Sequence, residues 1–152
     1  MGAPPMTWLD GLAAHLAAVG PLGLAWSPDA VYPDGVVGLA LEHVPPAPDQ
    51  VVVLTGYEGE EASSSTAYDM PRLQVRARGT PDPSVSRARC QRIYDHLHGL
   101  GPVQLPDGTE LQLVIGRGSG PAYMGQDQAG RHEHVANFDV NLYNPNRRGR
   151  SA

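Results

Sequence analysis

The sequence predicts a single small α+β domain, in which a mixed or antiparallel sheet of about five or six strands is flanked by two helices. The chain has 152 residues, a length that suits one domain. Two segments carry apolar residues at helical spacing, and several shorter segments are rich in Val and Leu or alternate between apolar and polar residues. These patterns together favour helices packed on one sheet.

Both helices are predicted from apolar spacing and from the residues at their ends. The first spans Thr7–Gly20; it begins with a residue that can cap a helix and ends at a glycine followed by proline. The second opens at Asp82-Pro83, a capping residue followed by proline in the first turn, and ends near His98. Its inner face carries Ser86, Cys90, Ile93, Tyr94 and Leu97.

Short segments rich in apolar residues predict the strands, which are Leu22–Trp26, Val36–Glu42, Val51–Tyr57, Arg72–Arg78, Val103–Leu105, Glu110–Gly116 and Arg131–Tyr143. Strict alternation in the fourth of these indicates a strand with one face toward solvent or a partner. In the last segment one face carries His132, His134, Ala136, Phe138, Val140 and Leu142.

Segments rich in proline, glycine or polar residues predict the connections. Ser27–Gly35 and the proline-rich residues 43–49 cannot lie inside a ladder of strands, because proline lacks the N–H donor. Glu58–Asp69 is predicted to be an exposed flexible loop, Arg117–Gln126 a glycine-rich loop, and Asp127–Gly130 a turn. Residues 144–152 form a basic extension to a domain of residues 1–143.

Charge is segregated along the chain. Nine acidic residues and no arginine precede Arg72, whereas eleven arginines and seven acidic residues lie from that position onward; there is no lysine. Such a bipolar domain can bind copies of itself through unlike sides. Chance and solvated faces explain the segregation equally well.

Several classes of protein are disfavoured. The single cysteine, Cys90, allows no intrachain disulfide and fits a reducing compartment. The first ten residues contain an acid and no basic residue, unlike a signal peptide, and no apolar run approaches the length of a membrane span. Arg89 and Arg92 would lower the pKa of the Cys90 thiol, but its place on the inner helix face favours a buried small residue.

No residue pattern supports catalysis, and we expect no cofactor, no metal and no enzymatic activity. His132 and His134 share one strand face and are the best metal candidates, but the sequence places no third ligand beside them. His96 and His98 lie on different faces of a helix. Residues 116–120 fit neither a nucleophile elbow nor a dinucleotide-binding turn.

Charged segments are the best candidates for contacts with partners. Arg147, Arg148 and Arg150 could contact phosphates, which is a weak nucleic-acid signal on an acidic protein, and contact with an acidic neighbour explains them equally well. The predicted acidic loop supplies the other leading set, Glu58, Glu60, Glu61 and Asp69. A weaker set lies on the alternating strand, namely Arg72, Arg76 and Arg78.

An ordered series of short motifs runs through much of the chain. The motifs are Pro45–Asp49 leading into Val51–Thr55 and Tyr57, Pro71–Arg76, Ile93–Asp95, Leu97–Gly101, Gly108, Gly125–Asp127, Gly130–Glu133, Val135, and Asn137-Phe138. This series resembles the tail terminator (tail-completion or minor capsid) proteins of long-tailed bacteriophages. The resemblance covers roughly residues 36–143 and contains no catalytic signature. Two segments depart from it, the acidic serine-rich loop after the second long strand and the arginine-rich C-terminus.

This resemblance implies a ring-forming domain that assembles as a homo-hexamer on the last ring of tail tube protein. The ring would stop tube polymerisation and present a surface to the head-tail connector, with DNA only passing through its lumen and no membrane contact. It implies a location in the virion neck after assembly in the host cytoplasm. A neck adaptor protein is the first alternative, and a small metal- or nucleic-acid-binding domain built on His132, His134 and the arginine tail is the second.

Overall fold

The computed structural model describes residues 7–29, 31–60 and 68–144, and only the backbone of residues 58–60. No helix in these ranges is long and apolar enough to cross a membrane. The elements, in chain order, are α1 (Trp8–Ala18), a short 3₁₀ helix (Gly20–Leu22), β1 (Gly38–Leu41), β2 (Val51–Glu60), β3 (Tyr68–Arg78), α2 (Pro83–Leu97), β4 (Val103–Gln104), β5 (Glu110–Gln126) and β6 (His132–Tyr143).

The six strands form one mixed sheet in the order β1-β2-β3-β6-β5-β4. The β1–β2 pair is parallel, and the other neighbours are antiparallel. Both helices pack on the same face of this sheet, since residues of α1 and α2 share one buried cluster with the inward side chains of the strands. The predicted α+β class, the strand number and the two helices are therefore confirmed.

Helix boundaries follow the predicted signals closely. The backbone N–H and hydroxyl of Thr7 both donate to the Asp10 carboxylate at 2.8 Å, which fixes the start of α1. Asp82 accepts a hydrogen bond from the Ser84 N–H at 3.0 Å at the start of α2. Cys90 is fully buried, and burial raises the pKa of its thiol to about 12, so it behaves as a small apolar residue rather than an activated one.

Three predicted segments were wrong. Residues 58–60 and Tyr68–Asp69, which were predicted to belong to the acidic loop, instead extend β2 and β3, and residues 61–67 lie outside the described residues. Residues 117–126 are the second half of β5, paired with the start of β6. The predicted strand Leu22–Trp26 is mostly not a strand; it begins in the 3₁₀ helix and makes a single bridge, between Ala25 and Gly38.

The glycines of β5 explain why its second half was predicted to be a loop. Gly118, Gly120 and Gly125 have positive φ values of 73°, 132° and 100°, and the register with β6 shifts beside them. Such irregularities interrupt the ladder locally and bend a strand without ending it, because pairing resumes beyond them. The local composition therefore resembles a loop, whereas the pairing makes a strand.

Helices α1 and α2 meet through a histidine pair. The Nε2 atoms of His15 and His96 lie 3.1 Å apart, and the rings stack with their centroids 5.4 Å apart. Burial lowers the pKa of both rings, and the charge of His96 lowers that of His15 further. Burial, followed by the charges of Arg87 and His132, also lowers the pKa of His134. The folded chain therefore favours neutral imidazoles.

We expect the melting temperature to fall by a few degrees between pH 7 and pH 5. A lowered pKa in the folded state means that the unfolded chain binds protons first as the pH drops below about 6.5, so the contribution to stability is present above that pH and is lost below it. His15→Gln should reduce this dependence, and His43→Gln, which changes an exposed histidine, should keep it. Melting curves recorded by circular dichroism at both pH values test this prediction. An equal pH dependence of the melting temperature in the wild-type protein and in His15→Gln would contradict it.

Candidate functional site

The sheet face opposite the helices, which we call the open face, carries two adjacent rows of side chains across four strands. Each row is defined by the pairing register, and its members point the same way because facing residues on neighbouring strands share a side. The first row is Tyr57, Arg72, Asp139 and Ile115. The second row is Thr55, Gln74, Asn137 and Arg117.

The proline-rich connector, residues 43–49, covers one half of the open face. Arg78 donates to the carbonyl oxygens of Pro48 (2.7 Å) and Asp49 (2.9 Å). Arg131 donates to the Pro46 carbonyl at 2.9 Å and forms an ion pair with the Asp49 carboxylate at 3.0 Å. Val44 of the connector packs against a small buried cluster, which consists of Ala40, Val51 and Val53.

Within the part of the chain that the structure describes, the other half of the open face is uncovered and contains a groove of about 500 Å³, lined by Thr55, Tyr57, Arg72, Gln74, Arg117, Gly118 and Asn137. We call it the arginine groove. Arg72 and Arg117 both contact Oδ1 of Asp139, at 3.4 and 3.1 Å. These three side chains are 40%, 44% and 52% exposed, so their ion pairs add little to stability. Two guanidinium groups share one carboxylate, which leaves donors for an acidic partner.

Exposed apolar side chains continue the same surface toward the end of the sheet. Met70, Leu113 and Ile115 are 37–40% exposed, and Tyr57 and Tyr68 also lie on the open face with 38% and 51% exposure. Tyr, Met and Arg are the residue types that the centres of protein interfaces favour. These residues therefore form a candidate binding surface.

The predicted interface residues occupy different environments. Arg72 lines the arginine groove, Arg76 lies 3.8 Å from Glu133 and Arg78 is buried under the connector. Asp69 is buried in β3, whereas Glu58 and Glu60 belong to β2 with side chains that the structure does not describe. Glu61, Arg147, Arg148 and Arg150 lie outside the described residues. Their role in subunit contacts stays a prediction.

The paired histidines of β6 have hydroxyl partners. His134 Nδ1 lies 2.8 Å from the Ser86 hydroxyl of α2, and His132 Nδ1 lies 2.8 Å from the Tyr123 hydroxyl of β5. Among residues 7–29, 31–60 and 68–144, no group of three or more His, Cys, Asp or Glu residues is placed to hold a metal ion. These contacts join β6 to its neighbouring elements.

Sequence reasoning missed several residues of the arginine groove. Arg117 was assigned to a loop, and Tyr57 and Asp139 were not singled out. The alternation along the last strand does place Asn137 and Asp139 opposite the buried face, so their position on the open face could be inferred from the sequence. Their meeting with Arg72 depends on pairing between strands that are distant in sequence, which no local pattern encodes.

Comparison with known proteins identifies a family. The family model for bacteriophage tail terminator proteins matches residues 21–144, which include the whole sheet and α2. A search of curated proteins gives no match. The match covers most of the chain. The chain belongs to the bacteriophage tail terminator family.

Proposed function

We propose that this protein, a structural component of the virion by its family, forms a hexameric ring that caps the tail tube. The ring would stop tube polymerisation and provide the attachment surface for the head-tail connector. The single observation that supports a role in assembly is the uncovered half of the open face, where tyrosine, methionine and arginine side chains lie exposed. We propose no catalytic step and no cofactor.

A closed ring requires contacts between unlike surfaces of neighbouring copies. Capping adds a second asymmetry, because one side of the ring has to match the tube subunit and the other has to lack what a further subunit needs. The proposed partners are therefore other copies of this chain, the tail tube protein and the connector protein, with DNA only passing through the lumen. The proposed location is the neck of the virion, after assembly in the host cytoplasm.

Electron microscopy of particles from a phage that lacks this gene tests the proposal. We expect overlong tail tubes that are not attached to heads, because tube growth would continue without a cap. Tails of normal length beside separate filled heads would instead indicate a neck adaptor that only joins the two parts. Intact virions would contradict both functions. Complementation with the wild-type gene is the control, since it should restore normal tails.

A further inference from the structure

The loop before β1 exposes an apolar side chain between carboxylates. We call residues 27–29 and 31–35 the Val31 loop. Val31 is 72% exposed, the largest value among the exposed large hydrophobic residues of the described ranges. Asp29 and Asp34 are exposed on either side of it in sequence. An exposed valine flanked by acids in a short loop contributes nothing to the core of its own chain.

Internal contacts hold the Val31 loop in place. Asp29 accepts hydrogen bonds from the Ser27 hydroxyl and from the Val31 N–H, the latter at 3.1 Å, and these bonds lower the pKa of its carboxyl. The Tyr32 hydroxyl donates to the Leu39 carbonyl of β1. The loop therefore presents Val31 in a fixed position with a charged neighbour, which reduces the entropy lost on binding.

Gly38 makes this anchoring possible. A Cβ atom at this position would lie 2.5 Å from the ring of Tyr32, so only glycine leaves room for the tyrosine. The Tyr32 hydroxyl also accepts a hydrogen bond from the Ser27 N–H at 3.0 Å. The Tyr32 hydroxyl therefore links the start of the loop, at Ser27, to Leu39 of the sheet.

We propose that the Val31 loop of one copy binds in the arginine groove of the next copy. The groove is complementary to the loop. Arg72 and Arg117 supply positive charge, and Ile115, which pairs with Asp139 beside the groove, supplies an exposed apolar side chain. The carboxylates of the loop would meet the guanidinium groups, and Val31 would contact Ile115. This inference rests on the proposed ring and names the two surfaces that join its neighbours.

The two surfaces cannot meet within one chain. The loop lies against β1, whereas Ile115 belongs to β5, and three strands separate them in the sheet order. At about 4.8 Å per strand spacing, the distance along the sheet is about 19 Å. Contact between them is therefore between copies and joins unlike surfaces, the kind of contact that closes a ring.

Disulfide trapping in the full-length protein tests this contact. A disulfide needs Cα atoms within about 7 Å, so a bond between cysteines at positions 31 and 115 can form only between copies. The native Cys90 is fully buried with a pKa of about 12 and does not compete. We expect the variant V31C/I115C to give, on mild oxidation, a reducible ladder of covalent oligomers whose linked peptides join positions 31 and 115.

A matched variant controls for random collisions. V31C/D95C carries the second cysteine at an exposed position of α2 instead of at position 115 beside the groove. We expect no ladder from it at the same protein concentration. Equal ladders from the two variants, or no linkage between positions 31 and 115 at the highest soluble concentration, would overturn the proposal. Melting curves establish that both variants are folded.

Charge reversal provides an independent measurement. R72D/R117D and D29R/D34R should each weaken self-association by at least about tenfold, because each removes the charge complementarity. Combining all four changes in one chain should restore part of the self-association, which mass photometry measures. If tails become overlong without the gene but trapping fails, the capping function stands and this interface is wrong. If trapping succeeds but tails stay normal, the interface stands and the function is wrong.

Discussion

Replacing Phe138 with alanine is expected to lower the free energy of unfolding by about 3–5 kcal/mol. Phe138 is fully buried in β6 at the centre of the sheet. It faces Leu73 of β3 and Gly116 of β5 in the register, and its ring centroid lies 5.6 Å from that of Tyr94 on α2. Removing the ring leaves a cavity between α2 and the sheet. Urea denaturation measures the loss, and the melting temperature should fall by about 6–20 °C.

Leu113→Ala is the matched control, because it also shortens an apolar side chain in the sheet but at a position that is 37% exposed. Its effect should stay near 1 kcal/mol, since a partly exposed side chain loses less on truncation. Comparable losses in the two variants would show that the core is not centred on Phe138. They would also remove the basis for treating Leu113 as part of a binding surface.

Local signals predicted the elements whose ends and faces are encoded by neighbouring residues. The cap and proline at Asp82-Pro83 located the start of α2, and strict alternation located the buried face of β3. The face of β6 that was expected to be shared by apolar residues and His134 is buried from His134 to Leu142. In each case the helical period of 3.6 residues or the strand period of 2 residues is sufficient to predict the buried face, because the pattern reflects which side chains contact the core.

Features that depend on distant residues were not predictable. Gly118 and Gly120 lie in a register shift that is flanked on both sides by pairing of β5 with β6, so their turn-like composition was misleading. The His15–His96 pair joins residues 81 positions apart. The arginine groove likewise needs the strand order β2-β3-β6-β5, which places side chains of four separate segments in two rows.

Contacts within the chain also explain part of the charge segregation along the sequence. Part of it is neutralised within the chain, because Arg131 pairs with both Asp49 and Asp127. Arg78 adds two hydrogen bonds to backbone carbonyls of the same connector. The arginine-rich half of the chain thus holds a segment of the acidic half in place, and only the remaining arginines are available to partners.

Arg78→Ala should therefore destabilise the fold by about 2–4 kcal/mol, although it removes a surface-type residue. The Arg78 side chain is buried, and burial lowers its pKa, so the charge is held there by its two carbonyl partners at Pro48 and Asp49. Hydrogen bonds from a charged donor are worth more than neutral ones, and their loss frees the connector over Val51 and Val53. Urea denaturation measures the loss, and increased binding of a hydrophobic dye would report the uncovered valines.

Arg76→Ala is the control for removing a positive charge without removing the bonds to the connector, because Arg76 lies two residues earlier on the same face of β3. Its Nε is 3.8 Å from Glu133, too far for a hydrogen bond, so its removal should cost less than about 1 kcal/mol. The loss of stability in Arg78→Lys should fall between those of Arg76→Ala and Arg78→Ala, since a single ammonium group cannot reproduce the guanidinium fork. Equal effects of Arg76→Ala and Arg78→Ala would mean that the connector is held by its prolines and by Arg131, and that Arg78 is free to serve a subunit contact.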